Sequence, residues 1–285
     1  MVVVKLMGGL GNQLFQYACG RALATKLNTH LVLDLDQLLD RTPKQNFVFR
    51  DFELIFFQLS PYLIFDKIVQ KKYNHNSIFS RKKIKIVEEG FKYNSLVNEV
   101  KKSDVYLEGY WQSYKYFESI KFSLQKEFIL KNNLSIEAHL LKERFNQFTT
   151  VAVHFRRGDY VMNPKANSVH GVCDMKYYLS AISYLSNIFE NLLFVIFSDD
   201  ISFVKNELGT SEKFEFIDTL SCHLEEFELM KVCNHFIISN STFSWWAAWL
   251  SIQTDKTVVA PKRWFKDEKL ESQTADLIPP DWIRL

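Results

Sequence analysis

Apolar and polar positions alternate in two regular stretches, separated by a middle region with a weaker pattern. VVVKL (2–6) is a short β-branched run, followed by a glycine-rich turn and the helix-compatible stretch NQLFQYACGRALATKL. HLVLDL (30–35) reads as a second strand. Strand, glycine turn, helix and strand in that order open a βαβ unit. In the middle, 54–73 reads as helical, IKIV (84–87) and DVYLEGY (104–110) as strands, and 114–145 as mostly helical. Regular alternation returns at Thr150, where TVAVHF, NLLFVIFS, FEFI, NHFIIS and KTVVAP read as strands. The intervening segments DMKYYLSAISYLSNIF, ISFVKNEL, HLEEFELMKVC and TFSWWAAWLS read as helices. Such alternation predicts parallel sheets covered on both faces. Two βαβ beginnings, at 2 and 150, predict an α/β chain of two Rossmann-like domains, 1–148 and 149–285, divided in the polar stretch ERFNQFTT.

Composition narrows the class. A chain of 285 residues with 47% hydrophobic and 15% aromatic content is long enough for two packed cores. Its net charge of +2 creates no overall field for nucleic acid or an acidic polymer. Cys19, Cys173, Cys222 and Cys233 are scattered without a CxxC pair, which fits a reducing compartment rather than a disulfide framework. Cys222-His223 and Cys233-x-His235 match no common zinc spacing. No apolar run approaches the roughly 20 residues of a transmembrane helix. MVVVKLMGG is too short for a signal h-region and reads as a first strand, so a cytoplasmic location is expected. The basic residues Lys71, Lys72 and RKKIK (81–85) read as a solvated surface. The alternative is weak peripheral attachment to an anionic membrane.

Three stretches carry candidate chemistry. In MGGLGNQLFQYA (7–18), Gly9 and Gly11 permit a tight turn and close ligand approach ahead of a helix expected to start near Asn12. As a dinucleotide fingerprint it is incomplete, because Leu14 stands at the third glycine position. Asp34-Leu35-Asp36 offers either a ribose-binding acid or the DxD of metal-dependent glycosyltransferases. In VAVHFRRGDY (151–160), Arg156 and Arg157 leave the carboxyl end of a strand, where open α/β sheets bind ligands. Guanidinium groups match phosphate oxygens bidentately, and His154 and Asp159 stand ready to orient them. In SNSTFSWWAAWL (239–250), Ser241 or Thr242 caps an apolar helix whose free N–H groups favour an anion. Asp199-Asp200 follow another strand and lie at the same kind of edge, or cap the next helix.

These stretches together resemble the bacterial α-1,2-fucosyltransferases over most of the chain. GGLGNQLFQYA, GYWQSYKYF (109–117), HFRRGDY (154–160), FSDD (197–200), LMKVCNHFIISNSTFSWWAAWL (229–250) and VVAPKRWF (258–265) are similar to that family's blocks in order and spacing. Residues 38–100 carry no recognised motif. The resemblance implies a GT-B-like architecture, with two Rossmann-like domains facing a central cleft. It also implies GDP-β-L-fucose as donor and the 2-hydroxyl of a terminal galactose as acceptor. Golgi relatives carry an N-terminal anchor, whereas this sequence is expected to begin directly on its first strand.

On that footing Arg157 and the helix near Thr242 offset the charge of the departing diphosphate, with no metal ion and no further cofactor. Arg156, Ser198, Asp199, Asn240, Ser241 and Phe243 are then expected on the donor, with Gly9 and Gly11 allowing its approach from the other domain. Asn12 faces the fucose, and Gln13, Trp111 and Gln112 face the acceptor. Asp159, Glu226 and His154 stand as alternative general bases. Two other classes remain open: an NAD or FAD oxidoreductase built on the glycine turn, and a non-catalytic sugar-binding protein.

Overall fold

The computed structural model describes residues 1–43, 48–67, 69, 83–101 and 104–285, without the side chains of 159 and 165. The chain divides into two compact units: Met1–Ile129 with Gln273–Ile278, and Leu130–Ser272 with Pro279–Leu285. Residue 148 therefore falls within the second unit, just ahead of its first strand.

The first unit is a wholly parallel five-stranded sheet in the order β3-β2-β1-β5-β4. Its strands are β1 (Val2–Lys5), β2 (Leu31–Asp34), β3 (Leu63–Ile64), β4 (Lys83–Val87) and β5 (Asp104–Glu108). Val2, Val3 and Val4 are fully buried, as β-branched residues of a central strand should be. The helix Leu10–Lys26 returns across the sheet. A Cβ on Gly20 would stand 2.9 Å from Leu31 Cδ1 and 3.1 Å from Val4 Cγ1, so glycine lets helix and sheet close together.

The helix expected over 54–73 does not form over 54–66, although Lys67 and Val69 are helical. A 3-10 turn, Glu53–Phe56, is followed by extended chain and the edge strand β3. Pro61 lies inside the segment and disfavours helix for its neighbour as well as itself. Residues 68 and 70–73, with the basic positions Lys71, Lys72, Arg81 and Lys82, lie outside the described residues. Lys85, from the same basic cluster, pairs with Glu108 at 2.8 Å. The expected helix over 114–145 is broken into Tyr114–Tyr116, Glu118–Ile120, Lys121–Glu127 and Ile136–Phe145.

The second unit holds a six-stranded parallel sheet ordered β11-β10-β9-β6-β7-β8. These are β6 (Thr149–Phe155), β7 (Leu192–Ser198), β8 (Phe214–Phe216), β9 (His235–Ile237), β10 (Val258–Ala260) and β11 (Ile283–Arg284). β6 and β7 pair along their whole length, from Thr149↔Leu192 to Phe155↔Ser198, so their carboxyl ends are level. The core under them joins Val151, Val153, Phe155, Tyr178, Leu185, Phe194 and Ile196. Two short helices, Gly158–Met162 and Pro164–His170, follow the arginines, the second opening on Pro164 with Asn163 Oδ1 accepting from the Ala166 N–H. Among the described residues no helix is long and apolar enough to cross a membrane.

Candidate functional site

The level ends of β6 and β7 decide the geometry in the second unit. Arg156 and Arg157 leave β6 opposite Asp199 and Asp200, which leave β7. Arg156 Nη1 pairs with Asp199 Oδ2 at 2.8 Å, and the Arg157 backbone N–H donates to Asp199 Oδ1 at 2.8 Å. Asp199 thus ties the two loops together with both oxygens. A Cβ on Gly158 would lie 2.6 Å from Asp199 Oδ2, so this closure requires glycine there.

Arg157 directs Nε to Asp200 Oδ2 at 3.1 Å and lays its guanidinium on the Phe203 ring, 3.3 Å from the centroid. Its two terminal nitrogens donate no hydrogen bond to the described residues. A guanidinium anchored through Nε and stacked on one face keeps a forked pair of donors for an oxyanion. Asp200 also caps the helix Ile201–Leu208, and its own N–H donates to Ser198 Oγ at 3.0 Å. Ser198 is therefore engaged in shaping this turn.

His154 is buried beneath, its Nδ1 2.8 Å from Ser239 Oγ and its ring 5.7 Å from that of Phe243. Burial drives its pKa down to about 3, with Arg156 adding to the effect and Asp199 opposing it. His154 is neutral and a weak proton acceptor. Glu226 behaves oppositely: burial raises it to about 7, with Asp199 pushing the same way and His223 opposing. The Asp159 side chain lies outside the described residues.

The helix Thr242–Leu250 is buried from Ser244 to Leu250. Ser241 caps it, accepting from the Phe243 N–H at 3.4 Å, and its N-terminus carries the partial positive charge that favours an anion. Trp245, Trp246 and Trp249 pack on one another and belong to the core. Asn240, expected on the donor, is instead a buried strut. Its Nδ2 donates to the carbonyls of His170 (3.0 Å) and Trp264 (3.1 Å), while Oδ1 accepts from Cys173 Sγ. A side chain so committed fixes the loops before and after the helix rather than meeting a ligand.

In the first unit the glycine turn follows β1. Gly8 has φ +78°, and Gly9 is the N-cap of the helix Leu10–Lys26. The helix begins two residues before the expected Asn12. Gly11 is buried within its first turn. Asn12 is consequently not a cap. Its Oδ1 accepts from Gln112 Nε2 at 2.9 Å, joining the turn after β1 to the segment after β5.

Two expected acceptor contacts are corrected. Gln13 is fully buried, with Nε2 donating to the carbonyls of Gly8 (2.9 Å) and Asp51 (2.8 Å) and Oε1 accepting from the Glu53 N–H (3.1 Å). Its hydrogen-bonding capacity secures the 51–53 segment. Trp111 is also fully buried, edge-on to Tyr116 at 5.6 Å, so its ring offers no face to a sugar. Asp34 is buried and accepts from the Tyr106 hydroxyl and the Asp36 N–H, which removes it as a ribose ligand. Among the described residues no group of three or more His, Cys, Asp or Glu is placed to hold a metal ion.

Sequence reasoning missed Glu88. Its carboxylate accepts the N–H of Tyr110 at 2.6 Å and that of Trp111 at 2.9 Å. Burial raises it to about 7 against the pull of those two donors. It lies in the stretch without a motif, and only the pairing of β4 with β5 brings it to the GYWQS block.

Over its whole length the chain is 36% identical to an α-1,2-colitosyltransferase of Escherichia coli, spanning 99% of that protein. It is 32% identical to the O-antigen biosynthesis glycosyltransferase WbnK of Escherichia coli, covering 98% of this chain and 99% of that one. The human galactoside α-(1,2)-fucosyltransferase 1 is 29% identical over 51% of this chain and 42% of its own length. In fold the chain is similar to the fucosyltransferase NodZ from Bradyrhizobium (TM-score 0.52, 13% identity, 86% of this chain and 91% of that one). A GDP complex of Arabidopsis thaliana FUT1 is similar as well (TM-score 0.51, 12% identity, 98% of this chain and 74% of that one). The two parallel α/β units are thus GT-B-like. The profile of glycosyl transferase family 11 matches residues 1–285, and the chain belongs to that family of glycosyltransferases.

Proposed function

We propose that the protein transfers L-fucose from GDP-β-L-fucose to the 2-hydroxyl of a terminal galactose, with inversion, in the synthesis of an O-antigen-like surface glycan. The observation that carries this reading is Arg157, anchored by Asp200 and Phe203 with its terminal nitrogens unpaired among the described residues. As the bond from the sugar C1 to the diphosphate breaks, negative charge grows on the leaving oxygens. A preorganised guanidinium stabilises that charge more than the ground state, which is what lowers a barrier. The N-terminus of the helix Thr242–Leu250 adds oriented N–H groups of the same sign.

The acceptor hydroxyl attacks C1 from the face opposite the diphosphate, turning a β-linked donor into an α-linked product and releasing its proton. A loose, oxocarbenium-like transition state asks little of the base. Asp159 is the residue we assign to the site for its place beside Arg157, while His154 acts by holding Ser239 and the strand exit. Asn12 and Gln112 supply the amide pair for the sugar side of the reaction. No metal ion has a step in this scheme.

The whole-length similarity to an α-1,2-colitosyltransferase favours a second reading, a GDP-linked colitose donor. Colitose is fucose without its 3-hydroxyl, so the two donors differ by one hydrogen-bonding group. Sites built to bond a hydroxyl reject an analogue lacking it far more strongly than apolar sites reject an added one. Steady-state kinetics with GDP-fucose and GDP-colitose separate the readings: preference for GDP-fucose supports the first, and a reversed preference replaces it with the second.

A further inference from the structure

The carboxyl edge of the first sheet is shaped by Glu88. Val87, the last residue of β4, pairs with Glu108, the last of β5, so the chain leaves both strands side by side. Gly109 permits the next step: a Cβ there would stand 2.3 Å from Glu88 Cβ and 2.8 Å from Oε2. Through that gap the Glu88 carboxylate reaches the backbone N–H groups of Tyr110 and Trp111.

The residue it holds is in an unusual state. Trp111 has φ +57°, a left-handed conformation that bulky side chains rarely adopt and that persists only where its surroundings enforce it. Trp111 Nε1, Gln112 Oε1 and Ser113 Oγ are moreover buried without a hydrogen-bond partner among the described residues. Three successive orphans are far from the usual economy of buried polar groups. Gln112 spends its other amide atom on Asn12. A strained turn and unsatisfied atoms, clamped by one carboxylate, are features of a segment held in place for a task.

We propose that Glu88 is a positioning residue for glycosyl transfer: by clamping the Tyr110–Trp111 turn it sets the Gln112 amide against Asn12, and that pair against the acceptor sugar. The proposal rests on the reading of Asn12 and Gln112 as sugar-side residues given above. Burial disfavours the charged form of Glu88, and the Trp111 and Tyr110 N–H groups that it accepts from oppose that effect.

Two variants and two readouts test it. Glu88→Ala removes both acceptor oxygens, and Glu88→Gln keeps one. Per GDP-binding molecule, Glu88→Ala should lower kcat/KM for the acceptor at least tenfold, with donor KM and GDP affinity within twofold of the parent. Glu88→Gln should fall between. Adding Asn12→Ala to Glu88→Ala should cost much less than Asn12→Ala costs alone, since both act through one amide pair. A lowered melting temperature with unchanged kcat/KM, or full additivity, would overturn the proposal. The second readout needs no substrate: the indole N–H resonance of Trp111, assigned by triple-resonance NMR, should move in both variants. A resonance unmoved in either overturns the clamp. A parent enzyme inactive on every galactoside counts against the acceptor reading, and the indole shift then decides Glu88 by itself.

Discussion

Gln112 and Asn12, a hundred positions apart in sequence, meet through a 2.9 Å hydrogen bond from the Gln112 amide nitrogen to the Asn12 side-chain oxygen. β1 and β5 are adjacent parallel strands, so their carboxyl ends emerge together and bring the two conspicuous blocks of the first unit into contact. With Gly9 as the helix N-cap, the Asn12 side chain has no capping duty.

Asn12→Ala should therefore change melting temperature little and leave GDP affinity intact, while transfer falls at least tenfold. Tenfold corresponds to about 1.4 kcal/mol of transition-state stabilisation, within reach of one hydrogen bond. Combined with Gln112→Ala, the loss should be less than additive, with a coupling of about 0.5–3 kcal/mol. Additive losses would place the two residues in separate roles.

Arg157→Lys keeps the charge but loses the fork. A point-charge ammonium cannot reproduce both the Nε bond to Asp200 and a bidentate phosphate contact. The variant should lose most of kcat, with less change in KM, because the contact strengthens as the diphosphate leaves. A lysine enzyme with near-parental kcat/KM would remove Arg157 from charge stabilisation.

Much of this arrangement was legible in the sequence because parallel strands buried on both faces write unbroken β-branched and aromatic runs. VVVKL, TVAVHF and LLFVIF all form strands where expected, and arginines at a strand exit and a capped apolar helix read correctly as local features. What failed depended on contacts distant in sequence. The apolar run from Leu54 looked helical, yet it makes only a 3-10 turn, Glu53–Phe56, before Pro61 and the pairing of Leu63 and Ile64 with β2 keep it extended. Trp111, Gln13 and Asn240 resembled ligand contacts, but burial and internal hydrogen bonds commit them to the scaffold. Glu88 has no local signature, since its partners come from the neighbouring strand's exit.

The pH dependence of stability has a definite sign at His154. Its pKa in the folded protein is about 3, below the unfolded value of 6.5, so the unfolded chain binds the extra proton between those limits. The contribution of His154 to stability is complete above pH 6.5 and is lost as pH falls from there toward 3. Each pH unit inside that window costs up to about 1.4 kcal/mol. Denaturant titrations of the parent should therefore show a steeper loss from pH 6.5 to 4 than those of His154→Asn. Parallel curves would mean that the imidazole titrates normally in the folded state.

Activity should survive exhaustive EDTA treatment, because the proposed scheme gives the leaving diphosphate to Arg157 and a helix terminus. Turnover abolished by chelation and restored by Mn²⁺ or Mg²⁺ would transfer that role to a metal ion.

The central claim is tested most directly by the product itself. Purified protein is incubated with GDP-β-L-fucose and a terminal β-galactoside such as lactose, and the glycosidic linkage of the product is assigned by NMR. An α-anomeric fucose on the galactose 2-oxygen is the predicted result. A fucose on any other hydroxyl, a β-anomer, or no transfer from GDP-fucose under conditions where another GDP-sugar is consumed would contradict it.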